Sequence, residues 1–248
     1  MTDKPVALVT GAAKRIGAAI AQALHASGYN IVIHYGTSEQ DALSLAEKLN
    51  AQRPDSAVTV QGDLRNHNDI QHLAKAAQDA WQRLDVLVNN ASSFYPTPVG
   101  EITLDDWASL VGSNVQGPLF LSQALAPSLK QSGGCIVNMV DMHIARPLMQ
   151  HSVYCLAKNG LASVTKSLAT ELAPEIRVNG IGPGAILWPE RELSDSDKQQ
   201  MLQSIPLNRL GTPEDIAQTA LFLINAPYIT GQILFVDGGR SIYTHASA

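Results

Sequence analysis

Tyr154 and Lys158 lie four residues apart in the stretch VDMHIARPLMQHSVYCLAKN, which runs from Val140 to Asn159. On a helix, residues i and i+4 lie on one face with their side chains close together. An ammonium beside a phenol favours the phenolate, so we expect Lys158 to lower the pKa of Tyr154 from its usual value of about 10. The pair would then donate a proton near neutral pH. Alone, the spacing is weak evidence, because many ordinary helix surfaces carry it.

Asp141 lies thirteen residues before Tyr154 and directly follows the apolar run CIVNMV. That run is typical of a buried strand, so Asp141 is expected at the C-terminal end of a strand. In open α/β sheets, ligands bind in the crevice outside those ends. We therefore interpret Asp141, Tyr154 and Lys158 as a candidate catalytic group, which requires a cofactor site elsewhere in the chain.

The composition narrows the class of protein. The chain has 248 residues, of which 45% are hydrophobic and 16% charged, and its net charge is -5. These values fit a globular chain with a large core and, with no long basic run, argue against a nucleic-acid binder. Cys135 and Cys155 form no CxxC motif, so we expect free thiols in a reducing cytosol. Without a secretory signal or an apolar run of about 18 residues, we expect a cytoplasmic protein with no membrane span.

Short β-rich runs alternate with longer helical patterns along the chain. The predicted strands are Val6–Thr10, Ile31–Tyr35, Ala57–Gln61, Val86–Asn89, Cys135–Val140, Ile176–Ile181 and Gln232–Val236. The predicted helices are Arg15–Ser27, Glu39–Asn50, Asn68–Arg83, Trp107–Gln131, Val153–Leu172 and one that opens at Thr212. This alternation predicts a single α/β domain over residues 1–248, a Rossmann-type doubly wound parallel sheet of about seven strands with helices on both faces. The polar segment Trp188–Pro206 is interpreted as a lid.

The first strand runs into TGAAKRIG, residues 10–17. Gly11 allows a tight turn, Gly17 allows close helix packing, and the following helix N-terminus can bind a pyrophosphate. Glycines after strands are usually plain turns, so the weight of this motif comes from its place at the first βα turn.

The second strand ends in HYGTS, residues 34–38, with no acidic residue before Glu39. An NAD site needs an acid there for the ribose 2′-hydroxyl. His34 and Ser38, with the nearby cations Lys14 and Arg15, suit a 2′-phosphate instead, which favours NADP(H) over NAD(H). The alternative interpretation is a solvated turn.

Two further strand ends are candidate cofactor contacts. Asp63 follows the third strand, where it could accept a hydrogen bond from an adenine amine or cap the next helix. The fourth strand ends in NNASSF, residues 89–94. Its small residues allow the backbone to approach a ligand, and its asparagines can tie neighbouring strands, although Asn-rich turns are common.

The motifs TGAAKRIG, VLVNNAS, GSNV, YCLAK, VNGIGPG and VDGG occur in the order and spacing of the short-chain dehydrogenase/reductase family. The chain resembles that family over essentially its whole length and, within it, is most similar to the pteridine reductases. The closer similarity rests on HYGTS, NNASSFYPTP, Arg15 in the glycine turn, and Asp141 with Tyr154 and Lys158. It implies an NADPH-dependent reductase of 7,8-dihydropterins, with dihydrofolate and oxidised pterins as further candidate substrates. It also implies a homotetramer with residues 107–131 and 153–172 at a dimer contact.

This sequence departs from the family pattern where Arg15 replaces the middle glycine of the turn and Asp141 replaces the catalytic serine. A carboxylate would repel a developing alkoxide, which disfavours simple ketone reduction. It suits the N–H donors of a pterin and, when protonated, can help relay a proton. The alternatives are a generic carbonyl or 3-oxoacyl reductase, and a non-catalytic NADP-binding homologue that has lost the serine.

The resemblance also assigns roles to individual residues. Lys158 would bind the nicotinamide ribose, and Tyr154, with Asp141 and a water, would protonate N5 of a dihydropterin while hydride reaches C6. Asn114 would hold a water chain or a helix kink. The implied cofactor contacts are Gly11, Arg15, Ile16, His34, Tyr35, Ser38, Asp63, Leu64, Asn90, Ala91, Ser92, Asn114, Tyr154, Lys158, Pro183, Gly184 and Ile186. The implied substrate contacts are Arg15, Ser92, Phe94, Asp141 and Tyr154.

Three remaining features are less informative. Phe94 would stack on the pterin, although a lone Phe after a strand is more often part of a core. Trp188 replaces the threonine usual in the family, which removes one expected phosphate contact. The histidines have no metal-like spacing, so we predict no metal site and treat four of them as surface or loop residues: His67, His72, His143 and His151.

Overall fold

A computed structural model of the protein describes residues 3–188 and 193–243. The strands are β1 Val6–Val9, β2 Asn30–Tyr35, β3 Ala57–Gln61, β4 Val86–Asn89, β5 Cys135–Met139, β6 Arg177–Pro183 and β7 Ile233–Val236. The helices are α1 Arg15–Ala26, α2 Glu39–Gln52, α3 His67–Trp81, α4 Leu104–Val111, α5 Gly117–Ser132, α6 Ser152–Glu171, α7 Asp195–Gln203 and α8 Pro213–Asn225.

The strands form one sheet in the order β3-β2-β1-β4-β5-β6-β7, and every pair is parallel. The predicted α/β class, parallel sheet and seven strands are confirmed. The chain reverses its direction of travel across the sheet between β1 and β4. A crevice opens outside the C-terminal strand ends at such a reversal, which is where open α/β sheets bind ligands.

The sheet is covered on both faces, as the apolar strands predicted. One apolar layer contains residues of α1, α2 and α8 packed on alternate strand residues such as Val9, Ile33 and Val88. The other contains residues of α3, α5 and α6 packed on the intervening strand residues, such as Leu8 and Leu87. Because side chains alternate across a strand, burial on both faces requires the nearly continuous Val, Ile and Leu runs seen in the sequence.

The predicted helix Trp107–Gln131 differs from the observed structure. Helix α4 begins at Leu104, after a capping box formed by Thr103 and Asp106. A π-helical segment, Gly112–Gln116, then separates α4 from α5. Apolar periodicity does not reveal such a segment, because it is a local change in hydrogen-bond register. π segments are frequent at functional sites.

Polar side chains join β4, β5 and α6 inside the core. Asn89 Nδ2 donates to Asn138 Oδ1 at 2.8 Å, and Asn138 Nδ2 donates to Thr165 Oγ1 at 2.9 Å. All three residues are buried. These bonds connect α6, the helix that carries Tyr154, to β4 and β5, next to the switch point, where the strand order reverses. The sequence predicted only that asparagines in this region can tie neighbouring strands.

The predicted lid Trp188–Pro206 is only partly described, because residues 189–192 lie outside the described ranges. Its later part contains α7, which Ser194 caps by accepting from the amide of Asp197. Motion of this segment remains a prediction. In the part of the chain that the structure describes, no helix combines the length and apolarity needed to cross a bilayer.

The close packing of Gly17 gives a test of the fold. A Cβ added there would lie inside the contact distance of the Gly11 carbonyl and 2.6 Å from Asn90 Nδ2. We expect Gly17→Ala to lower the free energy of unfolding by about 1–3 kcal/mol, the usual cost of overpacking. Urea denaturation measures this change.

A matched control is Gly36→Ala, since a Cβ at Gly36 would meet only the Gly62 carbonyl, 3.9 Å away. We expect this variant to stay within about 0.5 kcal/mol of the parent protein. Equal losses in both variants would contradict the steric argument.

Candidate active site

A cleft of about 910 Å³ lies at the switch point of the sheet. Its volume is typical of cofactor and small-molecule sites, about 300–1,000 Å³. The predicted cofactor residues that line it are Gly11, Arg15, Ile16, His34, Ser38, Asp63, Leu64, Asn90, Ala91 and Ser92. The other predicted cofactor residues, which are not in its lining, are Tyr35, Asn114, Tyr154, Lys158, Pro183, Gly184 and Ile186.

The first βα turn is held tightly against the end of β4. Asn90 Nδ2 donates to the carbonyls of Thr10 and Gly11 at 2.9 and 3.1 Å. Gly11 has a φ of +60°, and a Cβ there would lie 2.9 Å from Ala91 Cα. This close approach leaves a cradle of bare backbone, which fits a dinucleotide pyrophosphate.

Arg15 has a φ of +52°, a left-handed conformation that glycine adopts easily and other residues do not. The strain is on the order of 1–2 kcal/mol. The side chain is exposed and lines the cleft. The backbone therefore keeps the conformation of the usual glycine turn while a guanidinium is added to the cleft.

His34 lines the cleft as a neutral ring, and its predicted contact with a 2′-phosphate stays a prediction. The Gly11 amide donates to its Nδ1 at 3.1 Å, so the ring proton is on Nε2, which faces the Gly62 carbonyl at 3.0 Å. Burial lowers the pKa of His34 from 6.5 to about 4, so the ring is neutral near pH 7. His34 is therefore a neutral residue whose two ring hydrogen bonds join the first βα turn to the end of β3.

Tyr35 and Ile186 contribute no side chain to the cleft. Both are buried in the apolar layer that also holds α1, α2 and α8. The Tyr35 hydroxyl lies 3.4 Å from Glu39 Oε1. The predicted cofactor contacts of Tyr35 and Ile186 stay predictions, and backbone groups would have to make them.

Asp63 lines the cleft but does not cap the helix that follows. Arg65 donates to both oxygens of its carboxylate, at 2.7–3.0 Å, and holds the Asp63 pKa below its usual value. The side chain that caps α3 is Asn66. The capping alternative is therefore wrong, and Asp63 presents to the cleft a carboxylate that already has a cationic partner.

The end of β2 supplies small polar groups to the cleft. Gly36, Thr37 and Ser38 line it, and the Ser38 hydroxyl makes no capping bond to α2 although it stands at the helix N-terminus. Lys14 lines the same region and pairs with Asp41 at 2.9 Å. These groups suit a phosphate bound at the start of α2.

Sequence reasoning missed several residues of the cleft. Thr37 and Ser93 were visible within motifs that were already of interest. Arg65 and His72 belong to no such motif. Arg65 lies just before α3 and His72 lies in it, and only the fold brings them to the cleft. His72 is exposed, as expected of a surface residue, and it also lines the cleft.

Tyr154 and Asp141 meet directly. The Tyr154 hydroxyl donates to Asp141 Oδ2 at 2.6 Å, and Asp141 Oδ1 accepts from the His143 amide at 2.8 Å. Lys158 Nζ donates to the Met139 carbonyl at 2.8 Å and lies 5.8 Å from the centroid of the Tyr154 ring. The strand end and the helix thus bring the three predicted catalytic residues together.

The pKa of Tyr154 is well above its usual value of 10, which contradicts the expected lowering. Burial is the main cause, and the negative charge of Asp141 adds to it. Burial also lowers the pKa of Lys158 from 10.5 to about 8, an effect that Asp141 opposes. The phenol is closer to a carboxylate than to the ammonium, so it is a neutral hydrogen-bond donor at neutral pH.

Phe94 contacts Tyr154 of this group. It is 56% exposed rather than part of the core, and its ring stands edge-on to Tyr154 with centroids 4.8 Å apart. The His151 ring stacks on it at 4.7 Å with an interplanar angle of 17°. His151 is therefore more than a loop residue, which sequence reading did not anticipate.

Asn114 lies in the π segment and is fully buried. Its Nδ2 donates to the carbonyls of Ser93 and Leu110, both at 2.9 Å. The bond to Leu110 is the helix-kink contact expected from the sequence. Its Oδ1 is buried with no hydrogen-bond partner among the described residues, so it can accept from a water or a ligand.

The loop after β6 is held against the chain beyond β7. The Gly184 amide donates to the Val236 carbonyl at 2.9 Å, and a Cβ on Gly184 would lie 2.6 Å from Asp237 Cα. Pro183 ends β6 and is buried. This loop is at the carboxyl edge of the sheet, with its backbone fixed in place.

Comparison with known proteins agrees with this dinucleotide-binding architecture. A family model described as enoyl-(acyl carrier protein) reductase matches residues 11–241. Pteridine reductase 1 of Leishmania tarentolae is 41% identical over 96% of this chain and 96% of its own. The chain belongs to the short-chain dehydrogenase/reductase family, whose members are oxidoreductases that use a nicotinamide cofactor.

Other relatives act on different substrates, according to their names. A granaticin polyketide synthase putative ketoacyl reductase 2 of Streptomyces violaceoruber is 37% identical over 97% of both chains. A 3-oxoacyl-(acyl-carrier-protein) reductase of Synechocystis sp. is 36% identical over 96% of this chain and 97% of its own. Sequence similarity alone does not decide which substrate this chain uses, so the substrate must be inferred from the residues of the site.

Burial of a neutral His34 makes stability depend on pH. Its pKa is 6.5 in the unfolded chain and about 4 in the fold, so between these values the unfolded chain binds more protons. We expect the free energy of unfolding to fall as pH drops from about 6.5 towards about 4, by a total on the order of 3 kcal/mol from this residue. Urea denaturation at several pH values measures the slope.

The variant His34→Gln replaces the imidazole with a polar amide, which cannot titrate. We expect a smaller loss of stability on acidification than in the parent protein, whereas His67→Gln, on the surface of α3, should keep the parental slope. An unchanged slope in His34→Gln would show that another group causes the acid sensitivity.

Proposed function

We propose that this protein is an NADPH-dependent pteridine reductase, which reduces a 7,8-dihydropterin to the tetrahydro form. The observation that carries the proposal is the 2.6 Å hydrogen bond from the Tyr154 hydroxyl to Asp141 Oδ2. A carboxylate beside the proton donor repels a developing alkoxide but accepts N–H bonds from a heteroaromatic ring. Dihydrofolate and oxidised pterins are further candidate substrates of the same chemistry.

The cleft residues fit a phosphorylated dinucleotide. Bare backbone at Gly11 suits the pyrophosphate, while Ser38, Lys14 and Arg15 suit a 2′-phosphate, with no acidic side chain at residues 36–38 to oppose it. When bound, NADPH supplies a hydride to the substrate. Lys158 would bind the nicotinamide ribose, and the backbone near Gly184 would bind the carboxamide.

The proton would come from Tyr154. Its raised pKa keeps the phenol protonated at neutral pH, so the proton is available when the ring nitrogen becomes basic. Lys158, still largely protonated at pH 7, would stabilise the phenolate that results. Asp141 would accept from the substrate N–H groups and, through a water, help to return a proton to Tyr154.

The substrate would lie between Phe94 and the nicotinamide. Phe94 is half-exposed and its ring is nearly perpendicular to the Tyr154 ring, with centroids 4.8 Å apart, so a flat ring stacked on Phe94 would lie beside the proton donor. Ser92 and Arg15 both line the cleft and would contact the pterin or the phosphates.

A second candidate function is 3-oxoacyl reduction, which the names of two relatives favour. Tyr154 and Lys158 would serve a ketone as well as a pterin. The charge of Asp141 beside the phenol argues against it, because that charge opposes the oxyanion formed in ketone reduction.

We also propose a cytoplasmic homotetramer, as the family resemblance implies. Leu156 of α6 and Trp107 of α4 stay about half exposed in the single chain. Their exposure on the two helices predicted at a dimer contact supports this assembly.

The first test is a substrate panel with purified protein and NADPH. We expect oxidation of NADPH with dihydrobiopterin or dihydromonapterin, with dihydrofolate as a slower substrate, and little with an acetoacetyl thioester. We expect Asp141→Ser to lower kcat/KM for the pterin by about a hundredfold, because the acceptor for its N–H groups is lost, and to raise thioester turnover.

The control Tyr154→Phe removes the proton donor and should abolish both activities. No turnover of any pterin at saturating NADPH would exclude the proposal. Thioester turnover that exceeds pterin turnover would favour the second candidate.

Cofactor preference has its own test at Gly36, the first residue after β2. A Cβ there has room, so Gly36→Asp should place a carboxylate at the cleft without steric cost. We expect KM for NADPH to rise about tenfold or more through repulsion of the 2′-phosphate, and the ratio of kcat/KM values to shift towards NADH. The neutral variant Gly36→Asn, of equal size, should shift neither; the same shift in both variants would contradict the charge argument.

A further inference from the structure

His151 is a residue that neither the motifs nor the proposed chemistry uses, yet it covers one face of Phe94. The two rings are nearly parallel, at 17°, with centroids 4.7 Å apart. This is the offset-stacked arrangement that aromatic pairs prefer. Phe94 is otherwise 56% exposed, so the ring lies on the imidazole and not on an apolar core.

The position of His151 is fixed from several directions. Its Nδ1 lies 2.8 Å from the Met149 carbonyl, which can only accept, so Nδ1 carries a proton. Its backbone carbonyl accepts from the Cys155 amide in the first turn of α6. The His151 ring is therefore attached to the start of the helix that carries Tyr154, one turn before it.

The loop that carries Phe94 is joined to the same place. The Thr97 amide donates to the Gln150 carbonyl at 2.6 Å, and Thr97 and His151 form an isolated parallel bridge. Thr97 is buried. The backbone thus brings the two segments together, while the stacked rings set the plane of Phe94.

Two rings therefore already contact Phe94. His151 stacks on it and Tyr154 stands nearly perpendicular to it at 4.8 Å, yet Phe94 keeps 56% of its surface exposed, which leaves room for a ligand. A flat ligand stacked on this exposed surface would lie parallel to the imidazole as well. The geometry favours a flat, conjugated ring system over a flexible acyl chain.

We propose that His151 is a positioning residue that selects planar heteroaromatic substrates by holding Phe94 at a fixed angle to Tyr154. This inference rests on the proposed function for the identity of the substrate. In this role His151 would act through Phe94 and not on the reacting atoms. Its effect should therefore appear in substrate binding and not in the chemical step.

The test compares His151→Ala, which removes the ring, with His151→Phe, which restores a flat ring but lacks the bond to Met149. We expect His151→Ala to raise KM for a dihydropterin roughly three- to tenfold, with kcat changed by less than about twofold, as the loss of one aromatic pair implies. His151→Phe should restore KM to within about twofold of the parent value. KM for NADPH should be unchanged in both variants, which also shows that they fold.

The matched control is His67→Ala, which removes a second histidine-phenylalanine contact, the edge-on pair with Phe120 at 5.7 Å. His67 is exposed and lies outside the cleft lining, so we expect parental kinetics. An unchanged dihydropterin KM in His151→Ala would overturn the inference. So would a His151→Phe variant as impaired as His151→Ala, since the bond to Met149 and not the stacking would then be responsible.

A binding measurement separates this inference from the proposed function. Affinity of the NADP complex for 2,4-diaminopteridine is measured by calorimetry in the parent protein and in His151→Ala. Binding that weakens three- to tenfold in the variant supports the positioning role even if no pterin is turned over, an outcome that would exclude only the proposed function. Equal binding in both proteins overturns the positioning role even if pterins are turned over.

Discussion

The placement of helix α6 across the C-terminal end of β5 is the constraint on which the candidate site depends. Lys158 is buried and donates to the Met139 carbonyl of that strand, and Asn138 reaches Thr165 from the same strand. A buried ammonium loses much of its hydration, which is why the pKa of Lys158 falls to about 8. The hydrogen bond to the Met139 carbonyl replaces part of the lost hydration, and it forms only when α6 lies across this strand end. Tyr154, one turn earlier on the helix, is then held over Asp141.

Replacement of the usual serine by Asp141 changes what the tyrosine can do. With a hydroxyl beside it, the phenol would share a ketone oxygen with a second donor. Beside a carboxylate, the phenol is the donor of a 2.6 Å bond and its pKa rises. The phenol therefore stays protonated at neutral pH, and the negative charge disfavours an oxyanion beside it. Under the proposed function, this one substitution would alter both the acidity of the donor and the class of substrate that the site suits.

The cofactor side of the site also combines a family framework with local changes. Arg15 adopts a left-handed φ that glycine normally supplies, and this strain is retained where a guanidinium enters the cleft. His34 gives the opposite case. It belongs to the cofactor motif HYGTS in the sequence, but its two ring nitrogens hold the Gly11 turn and the end of β3. The first residue adds charge to the cleft, and the second shapes its wall without charge.

The sequence by itself determined the alternation of elements, the parallel sheet, the glycine turn and the group of Asp141, Tyr154 and Lys158. These features depend on local periodicity and on strand ends that meet at one edge of a sheet, both of which can be read along the chain. Only the tertiary structure decided that His34 is neutral, that the Tyr154 pKa rises, and that His151 stacks on Phe94. The physical reason is that burial and ring contacts depend on segments far apart in the chain. Spacing shows which residues can meet, whereas the desolvation and the neighbouring charges that set their chemistry arise only when the segments pack.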